Sequence, residues 1–218
     1  MSDRPSIISD EATNYLRRHS EGPDAVQQRL IERTAALGGW SVMQVGPEQG
    51  AFLGSLVAMT QARLVVEVGT FTGYSALAMA MALPAGGRMI CCDVSEEWTE
   101  IASEAWEAAG VAYRIDLRIA PAIETLRALP TDEEIDVAFI DADKTGYLSY
   151  YEELLPRLSS HGVIAVDNVL WSGAVFDDDT DDESTVALQE FNAHVAADER
   201  VIAAMVPIGD GVTLIRRR

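Results

Sequence analysis

Two short segments carry the residues best suited to chemistry. Asp141-Ala142-Asp143-Lys144 follows the apolar run from Ile135, and Asp167-Asn168 closes the run from Gly162. Two or three carboxylates and an amide, without His or Cys, make an oxygen-only ligand set. Such a set suits a hard cation (Mg²⁺, Mn²⁺ or Ca²⁺) and does not suit zinc. Aspartates after strands are often plain turn formers, but two clusters at neighbouring strand ends favour a site. Lys144 is the only lysine among the 16 Lys and Arg residues. Arginine does the routine surface work in this chain, so a lone lysine is a candidate for chemistry. Its plainer role is an ion pair with Asp141 or Asp143.

A second group lies earlier. Glu67-Val68-Gly69-Thr70-Phe71-Thr72-Gly73-Tyr74-Ser75 follows the run Leu64–Val68. Gly69 and Gly73 let the backbone turn sharply and approach a ligand. The dinucleotide fingerprint G-x-G-x-x-G would need glycine where Phe71 and Tyr74 stand, which weighs against NAD and FAD. Asp93 ends the next apolar run, where an acid can accept the hydroxyls of a ribose. It can equally cap the following helix, with Ser95 also available. A glycine turn and a ribose-binding acid without a pyrophosphate loop point to an adenosine ligand lacking phosphates.

The elements that must position these residues follow from hydropathy. Residues 1–60 read as helical: one helix capped at Ser9 and running to about His19, one opened by Pro23-Asp24 and stopped by Gly38-Gly39, and one from Pro47. The remainder, 61–218, alternates strands with helices, as in right-handed βαβ units and a parallel sheet. Its strand runs are Leu64–Val68, Arg88–Asp93, Ile115–Ile119, Ile135–Asp141 and Gly162–Asp167. Apart from the weaker Ile115–Ile119, they are near-continuous apolar runs, as strands covered on both faces should be. A helix over Leu148–Leu158 is expected to end at Ser159-Ser160-His161-Gly162. Val201–Val206 and Gly211–Ile215, joined through Asp210-Gly211, read as an antiparallel edge pair. The whole chain is expected to form one domain. In an open sheet of this kind ligands bind at the carboxyl ends of the strands, where both residue groups lie.

Composition narrows the partners. Of 218 residues, 35 are acidic and 16 basic, giving a formal net charge of −19. That argues against nucleic acid and against an anionic membrane surface, since both need clustered Lys and Arg. No run is long and apolar enough to span a membrane, and no secretory pattern opens the chain, so it is read as cytoplasmic. Cys91 and Cys92 are adjacent and are read as small buried hydrophobes. Residues 177–183, acidic at every position but Thr180, read as a surface loop, and no element is assigned between them and Val201. Trp40, Tyr147, Trp171 and Phe176 are candidate aromatic walls for a flat acceptor ring.

Taken together in order, Glu67–Ser75, Phe139–Lys144, Val166–Trp171 and Asp210–Leu214 resemble the cation-dependent O-methyltransferases, which include the caffeoyl-CoA and catechol O-methyltransferases. The likeness runs from about Val42 to the C-terminus. It implies a Rossmann-like α/β methyltransferase sheet of seven mostly parallel strands with an antiparallel C-terminal hairpin and extra N-terminal helices. It implies S-adenosylmethionine as methyl donor, with Met43 near the methionine part and Gly69 against the donor. Glu67 anchors the loop and the methionine end, and Ser75 touches the methionine carboxylate. Asp93 takes the ribose and Ala122 meets the adenine. Asp141, Asp167 and Asn168 match the ligands of a divalent cation, Lys144 matches a catalytic lysine beside it, and Asp141 is placed both with that lysine as catalytic and against the donor as cofactor-binding. Gly46 and Ala120 stand where relatives often have Ser and Gly.

The expected reaction is methylation of a catechol-like, vicinal-dihydroxy aromatic. A phenol has a pKa near 10, so a cation that favours the phenolate and a lysine base beside it would both help. The resemblance also implies a homodimer, with the N-terminal helices as interface. An NAD-dependent oxidoreductase and a non-catalytic adenosine-ligand-binding protein are the alternatives.

Overall fold

The computed structural model describes residues 8–218. Three helices precede the sheet. α1 (Asp10–His19) is capped by Ser9, whose hydroxyl accepts from Ala12 N. α2 (Ala25–Ala35) starts on a reciprocal capping box between Asp24 and Gln27. After a 3-10 turn over Gly38–Met43, α3 (Pro47–Thr60) begins with proline in its first turn, where a missing N–H costs nothing. Arg17 of α1 pairs with Glu48 of α3 at 2.9 Å.

The sheet then builds in alternation: β1 (Leu64–Val68), α4 (Tyr74–Ala82), β2 (Arg88–Asp93), α5 (Glu96–Ala108), β3 (Ile115–Ile119), α6 (Ala122–Ala128), β4 (Ile135–Ile140), α7 (Tyr147–Leu154) and β5 (Leu158–Asp167). α8 (Glu183–Ala197), β6 (Val201–Val206) and β7 (Val212–Arg217) complete it. The strand order is β3-β2-β1-β4-β5-β7-β6. The first five strands are parallel. β7 inserts between β5 and β6, antiparallel to both. The expected terminal pair is therefore present, with its inner member hydrogen-bonded to β5.

Alternate side chains on each strand enter opposite core layers. Val65, Met89, Cys91, Val137, Phe139 and Ala165 pack with α2 to α5. Val66, Val68, Ile90, Cys92, Ala138, Ile140 and Val166 pack with α6 to α8. The two cysteines thus part to opposite faces, free and buried. Fully buried side chains such as Phe139, Tyr151 and Phe191 each contribute about 1.5–3 kcal/mol through burial.

Two expectations change. The helix over Leu148–Leu158 stops at Leu154, because Pro156 cannot continue it. β5 begins at Leu158, earlier than Gly162. Ser159 to Gly162 form an irregularity between the Ile135–Leu158 and Val137–Val163 pairings. Asp136 anchors it, accepting from Ser159 Oγ at 2.8 Å and from Arg63 N at 2.7 Å. The acidic run ends in a helix that the pattern left unassigned. Asp182 caps α8, accepting from Thr185 N at 2.8 Å, and Glu183 lies in its first turn, where the helix dipole favours negative charge.

Strand order reverses between β1 and β4. Beyond Val68 and Ile140 the two chains diverge to opposite faces, which leaves a crevice at their carboxyl ends.

Candidate active site

That crevice is a cavity of about 580 Å³, within the range of small-molecule sites. It has two ends, built differently.

One end is the loop between β1 and α4. Gly69 has φ +89°, and a Cβ there would collide with the Asp141 carbonyl oxygen. Its glycine requirement is thus set by the neighbouring strand end as much as by any ligand. Gly73 has φ +81°, and a Cβ would lie 2.5 Å from Ala102 Cβ on α5. Trp106 Nε1 donates to Gly73 O at 3.2 Å. Behind the loop, Thr34 of α2 donates to Thr72 across a buried 2.8 Å hydroxyl pair. Asp93 Oδ2 accepts from Thr70 N at 3.0 Å and Phe71 N at 2.7 Å, and its Oδ1 from Ser95 N at 2.8 Å. The cap of α5 is Ser95, whose hydroxyl accepts from Trp98 N at 3.2 Å, so Asp93 holds the loop rather than the helix. An ionised carboxylate offers about four acceptor positions; three are taken by backbone, which leaves room for one hydroxyl and not two.

Glu67 sits on β1 beneath the loop, fully buried, and neither carboxylate oxygen has a partner at hydrogen-bond distance. Burial pushes its pKa up to about 8, against a smaller opposing pull from Ser75, Thr70 and Cys91. Met43, Ser75 and Ala122 all line the cavity, as expected.

The other end lies across β4 and β5. Lys144, 9% exposed, donates to Asn168 Oδ1 at 2.7 Å, Asp141 Oδ1 at 3.2 Å and Tyr147 OH at 2.5 Å. Asp143 stands apart from this set and accepts from Tyr150 OH at 2.6 Å. Asp167 is 1% exposed. Burial, then the charge of Asp141, push its carboxyl up to about 7, with Lys144 opposing. The buried Gln49 amide also favours the ionised form, although its Nε2 has no partner at hydrogen-bond distance. Lys144 thus bonds one carboxylate and an amide oxygen, and the buried Asp167, which is not itself among the lining residues, feels its charge from the strand end beside Asn168. The donor set fits a hard divalent cation: it is all oxygen, and its negative charge is only partly matched by Lys144.

Of the aromatic candidates, Trp171 lines the cavity, and its ring centroid is 5.4 Å from Lys144 Nζ. Tyr147 is fully buried; its hydroxyl serves Lys144 and donates to Asp167 O at 3.2 Å. It belongs to the core under the lysine. Trp40 and Phe176 are exposed and are not among the lining residues. Trp40 instead packs on Trp98, at 5.6 Å, and Trp98 does line the cavity. Sequence reading missed Trp98 and Phe71, whose rings meet edge-on at 5.0 Å. The signal was position: both lie within the first turn or loop after a strand end.

A glycine loop after β1 and an acid after β2, without a pyrophosphate loop, define the class of α/β proteins that bind an adenosine-type cosubstrate for group transfer. The O-methyltransferase family model matches residues 17–218, and the chain belongs to that family. It is 40% identical over 208 residues to the probable caffeoyl-CoA O-methyltransferase 2 of Dictyostelium discoideum, covering 94% of this chain and 90% of that one. It is 35% identical over 222 residues to caffeoyl-CoA O-methyltransferase 1 of Arabidopsis thaliana, covering 97% and 86%. Its fold matches the crystal structure of an O-methyltransferase from Bacillus cereus in complex with SAH, with a TM-score of 0.87, 29% identity and coverage of 95% and 97%. The protein is thus an O-methyltransferase, and the dehydrogenase alternative falls.

Proposed function

We infer that the protein transfers a methyl group from S-adenosylmethionine to one hydroxyl of a vicinal-dihydroxy aromatic, with a divalent cation at Asp141, Asp167 and Asn168. The observation that carries this reading is the convergence of Asp141 Oδ1 and Asn168 Oδ1 on Lys144 Nζ, in the same cavity as the glycine loop.

The methyl donor fits the loop end: Gly69 and Ser75 border it, Asp93 retains capacity for a ribose hydroxyl, and the buried Glu67 carboxylate lacks a partner. S-adenosylmethionine supplies an electrophilic methyl group, and a divalent cation supplies Lewis acidity that favours ionised acceptor oxygens. The chain's own residues do the rest. Lys144 Nζ, held by Tyr147 and Asn168, would receive the acceptor hydroxyl's proton as the neutral amine, its own proton having first passed to solvent. Trp171 gives a flat wall for the ring. The enclosed strand ends fix the line of attack and keep water out.

The acidic run favours a small free acceptor over a CoA thioester. Ser184, in the first turn of α8, lines the cavity and directly follows the exposed acidic run in sequence. Lys144 is the only cationic residue among the described residues that line it. A polyanionic tail would meet repulsion there. The test is methyl transfer from labelled donor to catechol, abolished by EDTA and restored by Mg²⁺. Activity that survives exhaustive chelation would remove the cation from this reading, and better turnover of a CoA ester than of the free catechol would remove the acceptor preference. A homodimer through the N-terminal helices is part of the same reading; the exposed Tyr15 and Leu16 of α1 support it, and sedimentation equilibrium tests it.

A further inference from the structure

The segment after β5 is held in an unfavourable backbone conformation. Five non-glycine residues among those described have positive φ, and three of them fall here: Asn168 (58°), Trp171 (44°) and Ser172 (53°). Gly173 follows at 88°. Asparagine tolerates this region, but tryptophan and serine rarely adopt it. Such a run persists only where its surroundings over-determine it.

The surroundings are the β6–β7 turn, residues 207–211. Val169 N donates to Gly211 O at 3.2 Å and Leu170 N to Asp210 O at 3.1 Å. Ser172 N donates to Asp210 Oδ1 at 2.6 Å. The turn is docked closely: a Cβ on Gly211 would lie 2.5 Å from Leu170 Cγ. The two main-chain bonds could be made with many residues at position 210. The third needs a short side chain with an acceptor oxygen, and a carboxylate makes it strong. From the other side, Asn192 Nδ2 of α8 donates to Val169 O at 2.8 Å.

The segment so held carries two parts of the site. Asn168 places its amide oxygen 2.7 Å from Lys144 Nζ, and Trp171 places its ring 5.4 Å from the same atom. We propose that Asp210 is a positioning residue for methyl transfer: its carboxylate pins Ser172 N, fixes the left-handed segment, and thereby sets the Asn168 ligand oxygen and the Trp171 wall. The proposal rests on the cation reading of Asp141, Asp167 and Asn168. Asp210 is not among the residues that line the cavity. It acts from the turn that leads into β7, whose Val212 pairs with Asp167 at the end of β5.

The experiment measures Mn²⁺ binding to the full chain by electron paramagnetic resonance, with SAH affinity measured in parallel, for the native protein, Asp210→Ala and Asp210→Asn. Outer-shell partners of a metal ligand typically control affinity by about 10–100-fold. Asp210→Ala is expected to weaken Mn²⁺ binding by that factor while SAH affinity stays within about two-fold. Asp210→Asn keeps the Oδ1 acceptor and is expected to restore most of the loss. Native Mn²⁺ affinity in a folded alanine variant would overturn the proposal, as would an asparagine variant as weak as alanine. Should Asp210→Ala fail to fold, Gly211→Ala presses on Leu170 and displaces the same segment; unchanged Mn²⁺ affinity there would overturn it equally. A native protein that binds no Mn²⁺ overturns the cation reading itself and this inference with it, a result distinct from failure of the variants alone.

Discussion

The two ends of the cavity solve opposite problems. At the donor end the loop backbone is fixed by the chain's own bonds, since Asp93 accepts three backbone amides, Thr72 pairs with Thr34, and Trp106 fixes Gly73, while Glu67, Thr70 Oγ1 and Gln44 Oε1 have no partner at hydrogen-bond distance. At the cation end, Asp141 bonds Lys144 at 3.2 Å, and the buried Asp167 feels the charges of both. The first end is a preformed cradle. The second, on the proposed reading, gathers oxygen ligands for a cation. Binding at the first relies on shape and a few free acceptor positions. Binding at the second releases electrostatic stress.

The largest expected effect tests the second end. Lys144→Ala and Lys144→Arg should each lower kcat by about 10²–10⁴, the usual worth of a positioned base. SAH affinity, measured by calorimetry, should be unchanged, because Lys144 bonds only to residues of the cation end. Full turnover in either variant would sink the base assignment. Equal loss of SAH affinity would show that the two ends are one unit.

Glu67, fully buried among the unpartnered groups of the donor end, sharpens the contrast. Its folded pKa of about 8 lies above the usual carboxylate value of 4.5. Below about pH 4.5 both folded and unfolded chains hold the proton. Between the two values the unfolded chain releases it and the folded chain keeps it, so stability falls as pH rises and levels off above about 8. The loss is a few kcal/mol at most over that window. Glu67→Gln should flatten this part of the melting-temperature profile between pH 5 and 8.5. A native profile parallel to that of the variant would show that Glu67 titrates normally.

Gly69→Ala probes the seam between the ends. Its positive φ and the collision with the Asp141 carbonyl should together cost about 3 kcal/mol of stability. Chemical denaturation checks this. A neutral outcome would mean that β1 and β4 can separate at their carboxyl ends.

The same contrast explains what could be read in advance. The donor end was legible because its residues are local: a glycine loop and an acid, each following an apolar run. The cation set was legible because Asp141 and Asp167 end adjacent strands of a sheet whose order follows common rules. Other features depend on side-chain placement that residue type alone does not specify. Trp171 reaches the cavity while Phe176, five residues on, is exposed. Tyr147 faces the core because Lys144 and Asp167 take its hydroxyl. α8 was missed although Leu188, Phe191 and Val195 have helical spacing, because the acids before it read as loop. The docking of Asp210 on Ser172 joins residues 38 apart in sequence, and no local pattern announces it.

The smallest expected effect concerns the link from the N-terminal helices to the donor loop. The Thr34–Thr72 pair is buried, and the loop has no other side-chain hydrogen bond to α2 among the described residues. Thr34→Val keeps the volume and removes the donor, leaving the Thr72 hydroxyl short of one partner in an apolar layer. The cost should be about 1 kcal/mol. If the donor end is a preformed cradle, that loss should appear mainly as weaker SAH binding, by roughly five-fold, with Mn²⁺ affinity unmoved. If Mn²⁺ affinity falls as well, the N-terminal layer braces both ends, through the buried Gln49 beside Asp167 as much as through Thr34. Gln49→Leu then decides between the two routes, since it removes that amide and leaves the threonine pair intact.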